Sequence, residues 1–314
     1  MDVWVLGRIG YDLYAVEQNR ALPEVEHFSR HVGGSSANIE VGLARLGLKV
    51  GIISAVGDDL LADYLFNFLR SEDVDTRFVS RVAGCNTSLC LTEVWPPDQF
   101  RQVFYRSNPA DAQVRLSDDA LNEITKAKMF VTNGTSLATS PSRESAIAAL
   151  EAGKRAGLTT VFDADYRASS WPNAAAAGEQ AHQALALSDV VLANEEELAI
   201  LTGGAADPKN VMFQKGVRIL VQKLGARGVA AHTPNGSHVA ASCSGNLVCA
   251  IGGGDGFAAG FLYALLRNHD LPTALVYGNA AAAIVVSRVS CADSMPRLDE
   301  LEARIRSSAT ATSA

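Results

Sequence analysis

Two hydrophobic spacings alternate along most of this chain. Val3-Trp4-Val5-Leu6, Val50 to Ala55, Met129 to Thr132, Thr159 to Phe162, Val190 to Ala193 and Ile219 to Gln222 are short, β-branched runs that read as strands. Between them lie stretches of helical periodicity: Ala37 to Leu46, followed by Gly47; Asp59 to Leu69; and Arg143 to Ala156, followed by Gly157, which suits a helix C-cap. Strand and helix alternating at this spacing predict parallel βαβ units. They would form an α/β fold, a mainly parallel sheet with helices on both faces and a ligand crevice at the strands' C-terminal ends.

Two segments, Leu13 to Val32 and Ser88 to Tyr105, break the alternation. Leu89-Cys90-Leu91-Thr92-Glu93-Val94 and Gln102-Val103-Phe104-Tyr105 are extended patterns, with Pro96-Pro97 turning the chain between them. They predict a small antiparallel accessory sheet, either a lid over the crevice or a plain edge extension. No internal repeat or long linker interrupts the sequence. A single domain over 1–314 is therefore expected, with a small β lid from about 13–32 and 88–105, and only the Ser/Thr/Ala tail from Ser307 looks frayed.

Composition narrows the partners. A hydrophobic content of 48% over 314 residues supplies a sizeable core, and a net charge of −7 argues against nucleic acid or an anionic membrane surface. Anionic ligands must then be met by local charge. Cys85, Cys90, Cys243, Cys249 and Cys291 are odd in number and widely spaced, which suggests neither a disulfide framework nor a zinc site and fits a reducing cytoplasm. No basic leader and no apolar run of about 18 residues is present, so the expectation is a cytoplasmic protein.

The sharpest candidate for chemistry is Gly252-Gly253-Gly254-Asp255-Gly256, which opens onto the apolar stretch Phe257 to Leu266. Glycines let backbone N–H groups face an anion, and the helix N-terminus adds about half a positive charge. Asp255 would repel a bound phosphate, so its value would lie in taking a proton from a hydroxyl attacking that phosphate; an Asp N-cap on a plain loop is the alternative. Gly33-Gly34-Ser35-Ser36-Ala37-Asn38 brings backbone close to a ligand while Asn38 offers a donor and an acceptor, a combination suited to a polyol and equally to a Ser-capped helix start. Asp12, after the first strand and Gly10, could accept two hydroxyl hydrogen bonds or be a turn residue.

Phe162-Asp163-Ala164-Asp165-Tyr166-Arg167 ends a strand with two carboxylates and an arginine. It is either a salt-bridged strand end or, with Arg106 on the lid edge, a pair of anchors for a substrate carboxylate. Asn194 and Glu197 begin a helix, where acids complement the dipole, and could also hold the water shell of Mg2+. Lys223-Leu224-Gly225-Ala226-Arg227-Gly228 is either a hairpin turn or a nucleotide loop. No P-loop, GxGxxG fingerprint, GxSxG elbow or HExxH occurs, which removes four common enzyme classes.

Taken in order, these stretches resemble the ribokinase-like (PfkB) family of carbohydrate kinases over essentially the whole chain. Gly33 to Asn38 followed by Gly42-Leu43-Ala44-Arg45-Leu46-Gly47 looks like the family's N-terminal signature, and Gly252-Gly253-Gly254-Asp255 looks like its second, with Gly253 in place of the usual Ala. Gly57-Asp58-Asp59, Asn194 with Glu197, Lys223 to Gly228, and Asn279 also match in order. The resemblance implies a three-layer α/β/α domain with a β lid, using ATP and Mg2+. It also implies roles: Asp255 as base, the amides of Gly252, Gly253 and Gly254 on the transferring phosphoryl, and Asp12, Gly33, Gly34, Asn38, Arg106 and Arg167 on the substrate. Asn194, Lys223, Gly225, Arg227, Gly228 and Asn279 would line the nucleotide site, with Glu197 holding Mg2+ through water.

Gly7-Arg8, the Tyr105 to Asp111 stretch, Phe162 to Arg167 with Trp171, and Ser287 to Pro296 are similar to the branch of the family that phosphorylates a keto-sugar acid, 5-dehydro-2-deoxygluconate, at its terminal hydroxyl. Kinases for 2-keto-3-deoxygluconate or fructose are the alternatives within the family, and a non-catalytic sugar- or nucleotide-binding regulator is the alternative of another class. Cys249-Ala250-Ile251 replaces the acid and Thr that many relatives use in a monovalent-cation loop, leaving potassium dependence open. Lid strands with exposed edges suggest a homodimer through the lid.

Overall fold

The computed structural model describes residues 1–96, 99–243 and 246–312. Its elements run β1 (Val3–Leu6), β2 (Gly10–Ala15), β3 (Phe28–Gly33), α1 (Ser35–Arg45), β4 (Val50–Gly57), α2 (Leu60–Ser71), β5 (Asp75–Val82), β6 (Ser88–Thr92), β7 (Gln102–Tyr105), α3 (Asp118–Ile124), β8 (Met129–Asn133), α4 (Ser142–Ala156) and β9 (Thr159–Asp163). They continue with α5 (Ala174–Ala186), β10 (Val190–Asn194), α6 (Glu195–Thr202), α7 (Pro208–Gln214), β11 (Ile219–Lys223), β12 (Val229–Thr233), β13 (Gly236–Ala240), α8 (Gly253–Leu266), α9 (Leu271–Val286) and α10 (Leu298–Thr312). Every strand read from a β-branched run is present. Gly157 closes α4 in the left-handed conformation, with φ 77°.

The large sheet has the order β13-β12-β11-β10-β9-β8-β1-β4-β5. It is parallel from β11 to β5, and only β12 and β13 at one edge run antiparallel. Successive residues of a strand point to opposite faces, and β1 divides its side chains accordingly. Val3 and Val5 join a core with α1, α8 and α9, while Trp4 and Leu6 join one with α4, α5 and α6. That is the three-layer α/β/α arrangement. On the first face α8 and α9 pack closely, because a Cβ at Gly260 would come 2.5 Å from the carbonyl oxygen of Tyr277.

The two interrupting segments form a second sheet of order β3-β2-β6-β7. It is mixed rather than antiparallel as expected: β2–β3 and β6–β7 are antiparallel, but β2 and β6 pair in parallel from Gly10–Ser88 to Tyr14–Thr92. The topology explains the difference. β2 leaves the C-terminal end of β1 and β6 leaves that of β5, so both depart the same edge of a parallel sheet in the same direction. Of the predicted Pro96-Pro97 turn, Pro97 lies outside the described residues. The segment from Ser307, expected to fray, continues α10 to Thr312, with the Ser307 hydroxyl donating to the Arg304 carbonyl at 2.8 Å. No helix among the described residues is long and apolar enough to cross a membrane.

Candidate active site

The crevice lies where α1 and α8 begin, beside the C-terminal ends of the parallel strands. Gly252 precedes α8 in the left-handed conformation, φ 82°, and a Cβ there would come 2.9 Å from Cys291 Sγ. The helix starts at Gly253, four residues before the predicted Phe257, so Asp255 sits inside its first turn. The first-turn N–H groups of a helix have no acceptor within it, and those of Gly254 and Asp255 are among them. Gly253, the residue that departs from the family signature, is fitted to its neighbour: a Cβ at this position would meet Val286 Cγ1 of α9 at 2.7 Å.

Asn38, in the first turn of α1, donates from Nδ2 to Asp255 Oδ2 at 2.8 Å. Burial and the nearby charge of Asp165 push the Asp255 carboxyl above the usual range, against the pull of Asn38 and Arg167. Asp12, on β2 and 5% exposed, faces the same space. A Cβ at Gly33 would come 1.9 Å from Asp12 Oδ2, and Gly34, with φ 98°, holds its own Cα where a Cβ would strike the Arg8 carbonyl oxygen at 2.3 Å. Burial raises Asp12 to about 6, opposed by Arg8, His31 and Arg167. Among the described residues, Asp12 Oδ1 and Asn38 Oδ1 are buried without a hydrogen-bond partner. Buried polar atoms are normally paired, so these two acceptors are suited to a ligand's hydroxyl groups.

The arginines and the lysine carry partners. Arg106 pairs with Asp111, which also accepts the Ser88 hydroxyl, and Arg167 pairs with Asp165 at 3.0 Å. Lys223 Nζ stands 2.9 Å from Asp163 Oδ1. Burial alone would lower the Lys223 ammonium, but the carboxylates of Asp163 and Glu197 outweigh it and keep it protonated. The Asp163 to Arg167 strand end is thus salt-bridged in this arrangement. Lys223 also reaches the helix start, since a Cβ at Gly254 would lie 3.7 Å from its Nζ.

Asn194 and Glu197 form a capping box at the start of α6. Asn194 Oδ1 accepts the Glu197 N–H at 2.8 Å, and Glu197 Oε2 accepts the Asn194 N–H at 2.7 Å. Glu197 Oε1 takes the Tyr166 N–H at 3.1 Å. Each carboxylate oxygen therefore has one backbone donor, with lone pairs left that suit an outer-shell water. Among the described residues no group of three or more His, Cys, Asp or Glu side chains could hold a metal directly. The donor set fits Mg2+ held by phosphate and water, not by a protein cage.

Lys223 to Gly228 is the hairpin connection between β11 and β12, closed by a tight turn at Gly225–Arg227. The same loop borders a cavity of about 520 Å3 lined by Lys223, Gly225, Gly228, Gly253, Gly254 and Asn279, with Phe257, Val229 and Val286 as apolar wall. Asn279 Nδ2 donates to the Ala241 carbonyl at 2.8 Å, tying the chain after β13 to α9. Two residues expected at the nucleotide do not line this cavity: Asn194 caps α6, and Arg227 points outward to Glu195, 66% exposed. Sequence reasoning missed Val286 and gave Arg8 no role. Arg8 was marked by the likeness of Gly7-Arg8 to the sugar-acid branch and by its place just past a buried strand, and Val286 by nothing local.

A model of the pfkB family of carbohydrate kinases matches residues 1–298. The 5-dehydro-2-deoxygluconokinase of Geobacillus thermodenitrificans is 37% identical over 310 residues, covering 96% of this chain and 92% of that protein. The protein of the same name from Lacticaseibacillus casei is 37% identical over 310 residues, covering 97% and 95%. A PfkB protein from Polaromonas sp. JS666, known from its crystal structure, superposes with a TM-score of 0.86 at 26% identity, over 96% of this chain and 99% of that one.

Proposed function

The chain belongs to the pfkB family of carbohydrate kinases, and from that premise we propose that its substrate is 5-dehydro-2-deoxygluconate, phosphorylated at the terminal hydroxyl. It is an ATP-dependent enzyme that transfers a phosphoryl group to an alcohol. The observation that carries the substrate is the identity of 37% over 96% of the chain to an enzyme named for it. The reaction belongs to inositol catabolism on this reading. We place it in the cytoplasm, with the sugar acid and ATP as partners and a homodimer through the small sheet, whose Tyr105 is 59% exposed.

Asp255 takes the proton of the terminal hydroxyl as that oxygen bonds to the γ-phosphorus and the bond to the β-phosphate oxygen breaks, releasing ADP. Its raised pKa brings it closer to the working pH, and Asn38 fixes the carboxylate that must receive the proton. The amides at the start of α8 and the Lys223 ammonium face the charge that spreads over the phosphoryl oxygens. Asp12, Gly33, Gly34 and Asn38 receive the sugar hydroxyls. Arg106 and Arg167 stand at the acid end, and the cavity beside Gly225, Gly228 and Asn279 takes the nucleotide. Mg2+, held through water at Glu197 and Asn194, would neutralise phosphate charge. Closure of the small sheet keeps water from competing with the hydroxyl.

ADP release with Mg2+ and ATP, measured across 5-dehydro-2-deoxygluconate, 2-keto-3-deoxygluconate, fructose and ribose, tests the assignment. Preference for the first by at least about tenfold in kcat/KM is expected, and preference for fructose or ribose would overturn the substrate. The half-buried Asp255, held by Asn38, disfavours the non-catalytic alternative.

A further inference from the structure

Arg106 and Arg167 already hold the carboxylates of Asp111 and Asp165, whereas Arg8 has no such partner among the described residues. Its Nη1 is buried and makes no hydrogen bond, and its guanidinium lies 5.7 Å from the centre of the Phe104 ring on β7. Across from it, Asp12 Oδ1 is equally buried and equally unpartnered. Both atoms converge on Gly10: a Cβ there would lie 2.6 Å from Arg8 Nη1 and 3.4 Å from Asp12 Oδ1. Two opposite charges of neighbouring residues thus each present a buried polar atom to one space without bonding to each other. A buried guanidinium nitrogen without an acceptor is costly, and an apolar residue of similar length would pack there without that cost.

We propose that Arg8 is the specificity-determining residue for the acid end of the substrate, its guanidinium binding the carboxylate while Asp12 accepts the nearest chain hydroxyl. This rests on the sugar-acid reading above. In 5-dehydro-2-deoxygluconate the carboxylate is separated by one methylene from the C3 hydroxyl, a short span that offers an anion to Arg8 and a donor to Asp12 at once. Phe104 carries the cation into the small sheet, so the sheet that covers the crevice is joined to the group that reads the acid. Arg106 and Arg167, each kept with its carboxylate, supply a positive surround.

The test compares initial rates on 5-dehydro-2-deoxygluconate and on its neutral carboxamide in the wild type, Arg8→Met, Arg8→Gln and Arg8→Lys. A charge-assisted hydrogen bond is worth roughly 10- to 100-fold, so Arg8→Met should lose the acid-over-amide preference by at least about tenfold, through KM for the acid. Its kcat, its rates on the carboxamide and its KM for ATP should stay within about threefold, and Arg8→Lys should recover part of the preference. Arg8→Gln gives the same discrimination where Arg8→Met does not fold. An unchanged acid-over-amide ratio in the neutral variants would overturn the role of Arg8 while leaving the substrate intact, as would an equal loss on both compounds. A wild type indifferent to the carboxylate would sink the sugar-acid reading and this inference with it.

Discussion

At the scale of single residues, the site is a set of buried charges held apart from their ordinary behaviour. Asp255 is pushed upward by burial and by Asp165, so as a base it is lost when pH falls through a value above the usual carboxylate range near 4. The pH profile of kcat/KM should therefore show an acid limb displaced upward from that of an ordinary carboxylate, and Asp255→Asn should lower kcat by at least about 100-fold at every pH. A variant retaining wild-type turnover would remove Asp255 from the chemistry. The residues legible in the sequence were those with a local signal: glycines before a helix, and a carboxylate after them. Arg8 was legible only through the likeness of Gly7-Arg8 to a family branch, because its unpaired nitrogen is a property of everything packed around it.

At the scale of elements, the start of α8 shows how a departure from a signature is absorbed. Gly253 leaves the space that Val286 of α9 fills, with only 2.7 Å between that methyl and a Cβ placed on the glycine. Restoring alanine by Gly253→Ala should cost about 1–3 kcal/mol by overpacking, and adding Val286→Ala should return at least about 0.5 kcal/mol of coupling energy, both read from urea unfolding. Strictly additive effects would show that the two positions do not compete for the same space. Several elements escaped the hydrophobic pattern for physical reasons. β13 is an edge strand of exposed Gly236, Ser237 and His238, and α9 is apolar on nearly every side because it is packed between α8 and α10. The parallel pairing of β2 with β6 depends on which edge of the large sheet each leaves, which no window of sequence contains.

For the molecule as a whole, the crevice is held at the expense of stability. Asp12 titrates at about 6 against an ordinary 3.8, so the folded state binds its proton more tightly than the unfolded chain. The sign follows: stability is lost as pH rises from about 4 through about 6, and stays lost above. Replacing the charge by Asp12→Asn should stabilise the sugar-free protein by up to about 3 kcal/mol at pH 8 and by less than about 1 kcal/mol at pH 4, while raising KM for the sugar. Urea unfolding across that range decides the point, and a gain independent of pH would mean that the charge of Asp12 is not its source. The βα alternation made the architecture legible from the sequence, and the family signatures made the chemistry legible.

The Asn38–Asp255 hydrogen bond spans 217 residues of chain. Domains are built from their N-terminal ends during synthesis, and contacts between distant segments form late. A nascent chain that has completed α1 and the small sheet has most of the proposed sugar pocket but lacks both the proton acceptor and the phosphate-facing amides. It follows that ribosome-bound or truncated chains ending before α8 can capture substrate at most, and hydrolyse no ATP. Turnover begins only once α8 has been made.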